Sequence, residues 1–294
     1  MRAPHLFLVL AINLLWGLNF VAIAIAVEHL PAIFTNALRF FLVLLLLLPF
    51  LRRVPGQMGV LLAIAFIMGV AHFGSVFLAV GIAENIAPIA VAAQTNVPLA
   101  TLLAVLVLGE RIGVWRSAGI LLSFAGVVVM GLEPGGFDQL DALSLILFSA
   151  LAYAVAAILM RRIRGASPMT VQAWTALAAV PGSLLLSLGL EEGQLAALST
   201  APWASFAGVI YAAIAASIVG HGGMYYLLQR YPVTTVTPYL LLAPVFAVLS
   251  AIFILGERLE PQEIVGGALI LSGVLTITLR QKRRSPLAAS AEET

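Results

Sequence analysis

Cysteine is absent from this chain of 294 residues, and charged residues are scarce. Without a thiol, the chain can form no disulfide, no thiolate metal site and no cysteine nucleophile. Asp, Glu, Lys and Arg make up only 10% of the residues, whereas an ordinary soluble domain contains about 25%. The formal net charge of +2 is too small to attract nucleic acid. The composition therefore argues against a soluble enzyme and against a nucleic-acid partner.

Apolar residues dominate what remains. They account for 62% of the chain, and the mean hydropathy is +1.09. A helix needs about 20 mainly apolar residues to cross a bilayer. Ten runs meet this need, covering residues 6–27, 32–51, 59–82, 86–108, 114–132, 142–160, 169–190, 203–229, 235–255 and 262–279. The sequence predicts an all-α integral membrane protein with ten transmembrane helices.

The basic residues fall mainly on one side of these runs. If the N-terminus is cytoplasmic, 13 of the 15 Lys and Arg residues lie in cytoplasmic segments, Arg258 lies outside and Arg39 lies within the second run. Lys and Arg accumulate in the cytoplasmic loops of membrane proteins. We therefore expect both termini to be cytoplasmic, with an even number of spans between them.

Part of the first half of the chain reappears in the second half. Residues 108–112 match residues 255–259 at a shift of 147 positions, half of the chain length. Further matches are Gly119 with Gly266, Gly126 with Gly273, Pro98 with Pro244 one position off, and His72 with His221 at a shift of 149. Each half holds five spans, and because five is odd the second half enters the membrane upside down. This predicts a 5+5 inverted-topology repeat, which is typical of secondary transporters.

These residues also carry a resemblance to a known family. The residues concerned are Pro98, Gly109, Glu110, Arg111, Gly119 and Gly126, their second copy from Pro244 to Gly273, the Trp16-Gly17-x-Asn19-Phe20 segment and Leu38-Arg39-Phe40. Together they resemble the EamA-type domains of the drug/metabolite transporter superfamily, over residues 6–280. Within it, the chain looks most like the bacterial aromatic amino-acid exporters. The resemblance implies a ten-helix fold, residence in the bacterial inner membrane and export of small metabolites.

The expected organisation has four parts. Residues 1–132 form the first EamA-like repeat and residues 142–280 the second, with an external loop at 133–141 between them. Residues 281–294 form a cytoplasmic tail that is first basic and then disordered.

Polar side chains inside the membrane are costly, so they indicate functional sites. No Asp or Glu lies well inside a predicted span, and His72 and His221 are the deep candidates for titration. This favours transport without proton coupling. Ser217, His221 and Tyr225 are spaced along one helical stripe, as are His72 and Ser75. Both stripes are expected to face a substrate pathway, although each histidine could instead support packing against a neighbouring helix.

The first and second runs contain further candidates for substrate binding. Arg39 either holds a substrate carboxylate or backbone carbonyls, or extends towards the outer interface. Asn13, Trp16 and Asn19 follow one another at a spacing of three, and Tyr153 is the counterpart of Trp16 in the second repeat. An aromatic plane beside amides suits a zwitterion with an apolar side chain, whereas packing is the alternative role of Trp16.

Proline interrupts the fourth and ninth runs. Gln94 and Asn96 precede Pro98, and Tyr239 lies between Pro238 and Pro244. Proline frees a backbone carbonyl and bends a helix, and interrupted helices in matching halves indicate a transport site. We predict that the three prolines are hinges and that Gln94, Asn96 and Tyr239 contact substrate, with a purely structural kink as the alternative.

Taken together, these features predict a secondary transporter and not an enzyme. We expect export of aromatic and other neutral amino acids by alternating access, as a uniporter. The alternative is a multidrug or other metabolite efflux carrier, with proton coupling. We expect no cofactor or metal, a monomer, and contact only with membrane lipid and the small-molecule substrate. None of the common sequence motifs of catalytic metal, nucleophile or phosphate sites is present.

Overall fold

A computed structural model of the chain describes residues 1–131, 137–231 and 233–282. Ten of its helical segments are long and apolar enough to cross a membrane, which confirms the ten predicted spans. In chain order they are Ala3–Val27, Ala32–Phe50, Met58–Ile82, Ile86–Leu108, Val114–Gly131, Leu140–Met160, Pro168–Leu190, Trp203–Leu228, Pro238–Leu255 and Pro261–Leu279. A short helix that was not predicted, Gln194–Thr200, joins the seventh and eighth spans.

The helix that contains the sixth span begins at Phe137, inside the stretch predicted as an external loop. Residues 133–136 of that loop lie outside the described residues. Residues 283–294 of the predicted tail lie outside them as well, and the last helix continues to Lys282.

The two ends of the helical bundle differ in charge. At one end, Gln57 before the third span bonds to Arg164 after the sixth, and Arg161 bonds to Glu110 after the fourth. At the other end, Glu191 and Glu257 bond to the backbone at the start of the second and fourth spans. We call these the basic end and the acidic end.

Residues that contact their own repeat counterparts locate the symmetry axis. Asn36 donates to the hydroxyl of Ser183 at 2.9 Å, and Ser123 donates to the carbonyl of Ile270 at 3.3 Å. Both pairs are separated by 147 positions, the repeat shift. Two equivalent residues can touch only near the axis that exchanges them. The pseudo-two-fold axis therefore passes between the second and seventh spans and between the fifth and tenth, and the fold is a 5+5 inverted repeat.

The fifth and tenth spans pack closely through their glycines. A methyl group at Gly119 would lie 2.8 Å from the carbonyl oxygen of Gly273 and 2.9 Å from the side chain of Ile277. Such close approach of two backbones is what small residues permit in membrane helices. The fifth and tenth spans therefore pack directly against each other, backbone to backbone.

The fourth and ninth spans are interrupted at matching positions, as their prolines predicted. Ala93–Thr95 forms a 3₁₀ turn before the helix that contains Pro98. Thr237–Leu241 forms a 3₁₀ turn that contains Pro238, and Pro244 lies in the first turn of the helix that follows. Each interruption divides its span into two helical pieces. The hinge role of the three prolines stays a prediction.

The third and eighth spans contain π-helical segments that the sequence did not predict. These are Ile67–His72 and Ala212–Gly220, and each lies just before or at one of the two matched histidines. A π segment changes the regular backbone ladder, and in a membrane every carbonyl still needs a donor. Asn36 supplies one to Gly69 at 3.0 Å, and Trp16 supplies one to Ala216 at 3.0 Å.

Candidate functional site

A cavity of about 540 Å³ lies between the second, third, sixth, seventh and eighth spans and opens at the basic end. Its mouth is formed by residues around Arg161 and Pro168. Its apolar wall includes the rings of Phe40, Phe73, Tyr153 and Tyr225 and the side chains of Met68, Met160 and Met224. Gln172, Thr175 and His221 add polar groups. An apolar cavity of this size with a few polar groups is typical of a small-molecule site.

Arg39 lies behind the aromatic wall of this cavity. Its side chain is 1% exposed. Nε and Nη2 donate to the hydroxyl of Ser217 at 3.2 and 2.9 Å, and that hydroxyl donates to the carbonyl of Ala212 at 2.7 Å. Nη1 of Arg39 has no hydrogen-bond partner among the described residues. A buried guanidinium therefore presents one unused donor nitrogen.

Three phenylalanine rings surround the guanidinium. Its central carbon lies 4.3 Å from the ring centre of Phe73, 4.9 Å from that of Phe40 and 5.7 Å from that of Phe77. Cation–π contacts of this kind partly replace lost hydration. Phe40 and Phe73 also line the cavity, so their rings separate Arg39 from it. The position 147 residues later is Leu186, so this cation occurs in only one half of the molecule.

Two matched pairs of an aromatic residue and a histidine lie at the centre of the bundle. The rings of Trp16 and His221 are 5.4 Å apart at an angle of 60°, and those of Tyr153 and His72 are 5.3 Å apart at 59°. Each pair joins the first span of one repeat to the third span of the other. The equivalent geometry supports the prediction that Tyr153 is the counterpart of Trp16.

The two histidines also form packing hydrogen bonds. Nδ1 of His72 lies 2.7 Å from the hydroxyl and 3.0 Å from the carbonyl of Ser149, on the sixth span. Nδ1 of His221 lies 3.1 Å from the carbonyl of Ala216, in the π segment of its own span. His221 lines the cavity as well. The structural and functional interpretations of His221 are therefore compatible.

The predicted binding residues fall into three groups. The first group, in the cavity wall, consists of Tyr153, His221 and Tyr225. The second group lies next to that wall and consists of Trp16, Arg39, His72 and Ser217. The third group does not line the cavity and consists of Asn13, Asn19, Ser75, Gln94, Asn96 and Tyr239. The role of this last group in the substrate pathway stays a prediction.

Two members of the third group have identifiable packing contacts. Asn13 is fully buried and donates to the carbonyl of Val9, one turn earlier in its own helix, at 2.6 Å. Tyr239 packs against a cluster of buried apolar residues that includes Val9 and Val236. The first contact lies within one helix, and the second joins the first span to the ninth. Neither residue lines the cavity.

Several residues of the site were not predicted. Phe73 carries no sequence signal because an aromatic residue in an apolar span is ordinary. Gln172 did carry one, since it is an amide in the first part of an apolar run, and it lies in the cavity wall with Nε2 3.4 Å from the carbonyl of Ser217. Asn36 is an equally deep amide, and it packs against Gly69 and Ser183 one turn from Arg39.

Comparison with known proteins identifies one family for both halves of the chain. Residues 3–132 and 141–279 each match the EamA-like transporter family, one match for each half. The probable amino-acid metabolite efflux pump of Salmonella typhimurium strain LT2 is 32% identical over 279 residues, or 91% of this chain and 92% of that protein. The protein of the same description from Escherichia coli strain K12 is 30% identical over 277 residues, with the same two coverages.

A solved protein crystal structure has the same fold. It superimposes with a TM-score of 0.64 and covers 97% of this chain and 100% of its own, at 20% sequence identity.

Proposed function

Because this chain belongs to the EamA-like transporter family, we propose that it exports amino acids and related metabolites from the bacterial cytoplasm across the inner membrane. Two relatives at 32% and 30% identity carry the description "probable amino-acid metabolite efflux pump", which supports this substrate class. The positive-inside rule assigns the basic end to the cytoplasm. The cavity opens at that end, which suits a carrier ready to accept substrate from inside the cell.

The unused nitrogen of Arg39 carries the proposal. A cation inside the membrane is costly unless an anion or strong acceptor compensates it. Arg39 lies roughly 10 Å along its helix from the start of the second span, and its hydrogen bonds go to the neutral Ser217. A substrate carboxylate on Nη1 would supply the missing acceptor and the missing charge. Arginine is well suited to this role because its planar donors match a carboxylate.

A second unused polar atom lies one turn away on the same helix. Oδ1 of Asn36 is buried without a hydrogen-bond partner in the described part of the chain, while its Nδ2 donates to Gly69 and Ser183. A free acceptor and a free donor at positions three apart lie on one helical face. This pair suits the ammonium and carboxylate groups of a zwitterionic amino acid.

The cavity accommodates the rest of the substrate. Its aromatic rings suit a flat or apolar side chain, and its three methionines are flexible enough to fit side chains of different shape. Phe40 and Phe73 stand between this space and Arg39. We infer that the ring of Phe73 turns aside when the carboxylate reaches the guanidinium.

The proposed mechanism is facilitated export by alternating access. No carboxylic acid lies well inside a span, and such a group is a common proton carrier in coupled transporters. Movement of the helical pieces that meet at the 3₁₀ turns of the fourth and ninth spans would open one end and close the other. The substrate gradient then sets the direction of net flux.

A multidrug carrier for lipophilic cations is the second candidate. The aromatic and methionine-rich wall favours it, because such rings bind flat cations. The positive charge of Arg39 opposes this candidate, because it would repel a cationic substrate at the end of the cavity that lies beside Phe73.

Flux measurements on purified protein in liposomes test the proposal. Labelled phenylalanine, leucine and a lipophilic cation are each offered to vesicles loaded with excess unlabelled amino acid. We expect counterflow of the two amino acids and little of the cation. Transport of the cation alone, or no flux for a broad panel of amino acids, would overturn the substrate assignment.

A further inference from the structure

The carboxylate of Glu257 holds the start of the fourth span at the acidic end. Its two oxygens accept hydrogen bonds from the backbone N–H groups of Ile86 at 2.7 Å and Ala87 at 3.0 Å. Glu257 is the second residue after the ninth span, so this contact joins the end of one interrupted span to the start of the other. A carboxylate that accepts two N–H groups at a helix start is a strong, charge-assisted contact.

The repeat counterpart of Glu257 is Glu110, at the basic end, and its contact is different. One of its oxygens accepts a hydrogen bond from Nη1 of Arg161 at 2.7 Å. Arg161 lines the mouth of the cavity. The two equivalent glutamates therefore have different partners. At the basic end, where the cavity opens, Glu110 bonds to an arginine, whereas at the acidic end Glu257 bonds to backbone N–H groups.

The chain presents both glutamates with the same local geometry. Gly109 and Gly256 have φ angles of +68° and +73° and end the fourth and ninth spans in the left-handed conformation that glycine favours. The backbone N–H of Glu110 bonds to the carbonyl of Ala104, and that of Glu257 to Ala251, at 3.2 and 3.3 Å.

The same repeat shift supplies a backbone target for Glu110. At this shift, the residues that correspond to Ile86 and Ala87 are Val233 and Thr234. The helical backbone that leads into the ninth span begins at Val233, just as the fourth span begins at Ile86. When the basic end closes, two N–H groups at the start of this helix would stand where Ile86 and Ala87 stand now relative to Glu257.

We propose that Glu110 and Glu257 are alternating latches of the transport cycle. Glu257 holds the acidic end shut while the cavity is open at the basic end. When the basic end closes, Glu110 separates from Arg161 and accepts hydrogen bonds from the N–H groups of Val233 and Thr234. At the same time, the hydrogen bonds from Ile86 and Ala87 to Glu257 break. In each conformation one of the two glutamates is bound to two backbone N–H groups, so the two conformations stay similar in free energy. The inference rests on the alternating-access part of the proposed function but on no particular substrate.

A third glutamate provides a matched control. Glu191 accepts hydrogen bonds from the N–H groups of Ile33 at 2.7 Å and Phe34 at 3.0 Å, the same two distances as Glu257. Its repeat counterpart is Leu44, so it has no partner with which to alternate. Loss of Glu191 should weaken a helix start at the same end of the molecule without shifting the balance between the two conformations.

Cysteine labelling tests the latches. Because the chain has no native cysteine, only the introduced cysteine reacts. Val80 is 4% exposed at the base of a crevice beside Glu257, and Ala157 lines the cavity at the basic end. V80C and A157C are introduced singly, and the rate of reaction with a polar maleimide is measured in lipid nanodiscs without substrate. Each is combined with E257A, the milder E257Q, E110A, the pair E110A/E257A, and E191A.

We expect E257A to raise the V80C labelling rate about tenfold and to lower the A157C rate, as the loss of a charge-assisted pair implies. E257Q should do the same to a smaller extent. E110A alone should leave A157C reactive, and E110A/E257A should return V80C towards the unsubstituted rate, because both conformations have then lost their latch. E191A should change neither rate.

Equal V80C rates in E257A and the parent protein would overturn the proposal. So would the same increase in E191A, or no reversal in the double variant. Because the labelling needs no substrate, a failed amino-acid flux assay leaves its outcome intact, and the two proposals can fail separately. Gel filtration of every variant confirms that the labelled protein is folded.

Discussion

The guanidinium of Arg39 donates two hydrogen bonds to one acceptor, the hydroxyl of Ser217, and its third nitrogen has no acceptor among the residues that the structure describes. Ser217 lies in the π segment of the eighth span, where its own hydroxyl donates to the carbonyl five residues earlier. The irregular backbone therefore orients the hydroxyl, and the hydroxyl orients the arginine. This places the guanidinium beside the ring of Phe73, at the boundary of the cavity.

Replacing Ser217 with alanine should weaken substrate binding more than it weakens folding. The guanidinium loses the acceptor that orients it, and a hydrogen bond to a charged group contributes about 1.5–3 kcal/mol. We expect KM for a neutral amino acid to rise about tenfold, with a smaller change in maximal flux. Flux into liposomes at varied substrate concentration measures both quantities.

The control for this variant is Thr276→Ala. Thr276 donates to the carbonyl of Ser272 in its own helix, on the tenth span and away from the cavity. An equal rise in KM in both variants would argue against an orienting role for Ser217.

Shortening Phe73 should change access to Arg39. In Phe73→Leu the side chain no longer covers the guanidinium, so the carboxylate reaches it with less rearrangement, while an aromatic substrate loses a ring contact. We expect the preference for phenylalanine over leucine to fall several-fold, since an aromatic pair contributes about 0.5–1.5 kcal/mol. Competition between the two amino acids for uptake measures the ratio. An unchanged ratio would place Phe73 outside the substrate path.

A methyl group at Gly119 should destabilise the contact between the fifth and tenth spans. In Gly119→Ala it would lie 2.8 Å from a backbone oxygen, which cannot move easily, and overpacking costs about 1–3 kcal/mol. We expect a lower melting temperature in detergent, with KM unchanged in the protein that remains folded. Gly189→Ala is the control, because outside its own helix no described residue comes within 4 Å of a methyl group there, and it should be neutral or stabilising.

An imposed pH gradient should have little effect on flux. The spans carry no deep carboxylate to move protons, so uptake at equal substrate concentration should be similar with and without the gradient. The measurement is initial uptake in liposomes that are acidic or neutral inside, with an ionophore control that collapses the gradient. A tenfold dependence of uptake on the gradient would contradict uncoupled transport.

The membrane spans and the repeat could be predicted because their signals are local and strong. Ten apolar runs need only length and composition to be recognised. Gly109 and Glu110 recur as Gly256 and Glu257, and the contact between Asn36 and Ser183 then confirms the shift in space. The proline interruptions were visible for the same reason, because proline acts on its own helix.

The remaining features depend on contacts between distant parts of the chain. The π segments form where carbonyls find donors on other helices, as Ala216 does in Trp16, 200 positions away. Glu257 and Ile86 are 171 positions apart, and nothing near either residue indicates the other. The ring of Phe73 matters only because Arg39 lies behind it. The sequence therefore revealed Arg39 as a candidate but not the phenylalanine rings that separate it from the cavity.

The central claim is that Arg39 binds the carboxylate of the substrate. Its most direct test combines a change in the protein with a change in the ligand. Inhibition of labelled leucine uptake by phenylalanine and by its decarboxylated amine is measured in the unsubstituted protein and in Arg39→Gln, with gel filtration to verify folding. A cycle of this kind isolates the interaction between the two changed groups.

We expect phenylalanine to inhibit the unsubstituted protein at least about tenfold better than the amine does, in line with a charge-assisted hydrogen bond. In Arg39→Gln this advantage should disappear. If the substitution weakens both ligands equally and the advantage of the carboxylate persists, the carboxylate binds elsewhere and Arg39 is structural.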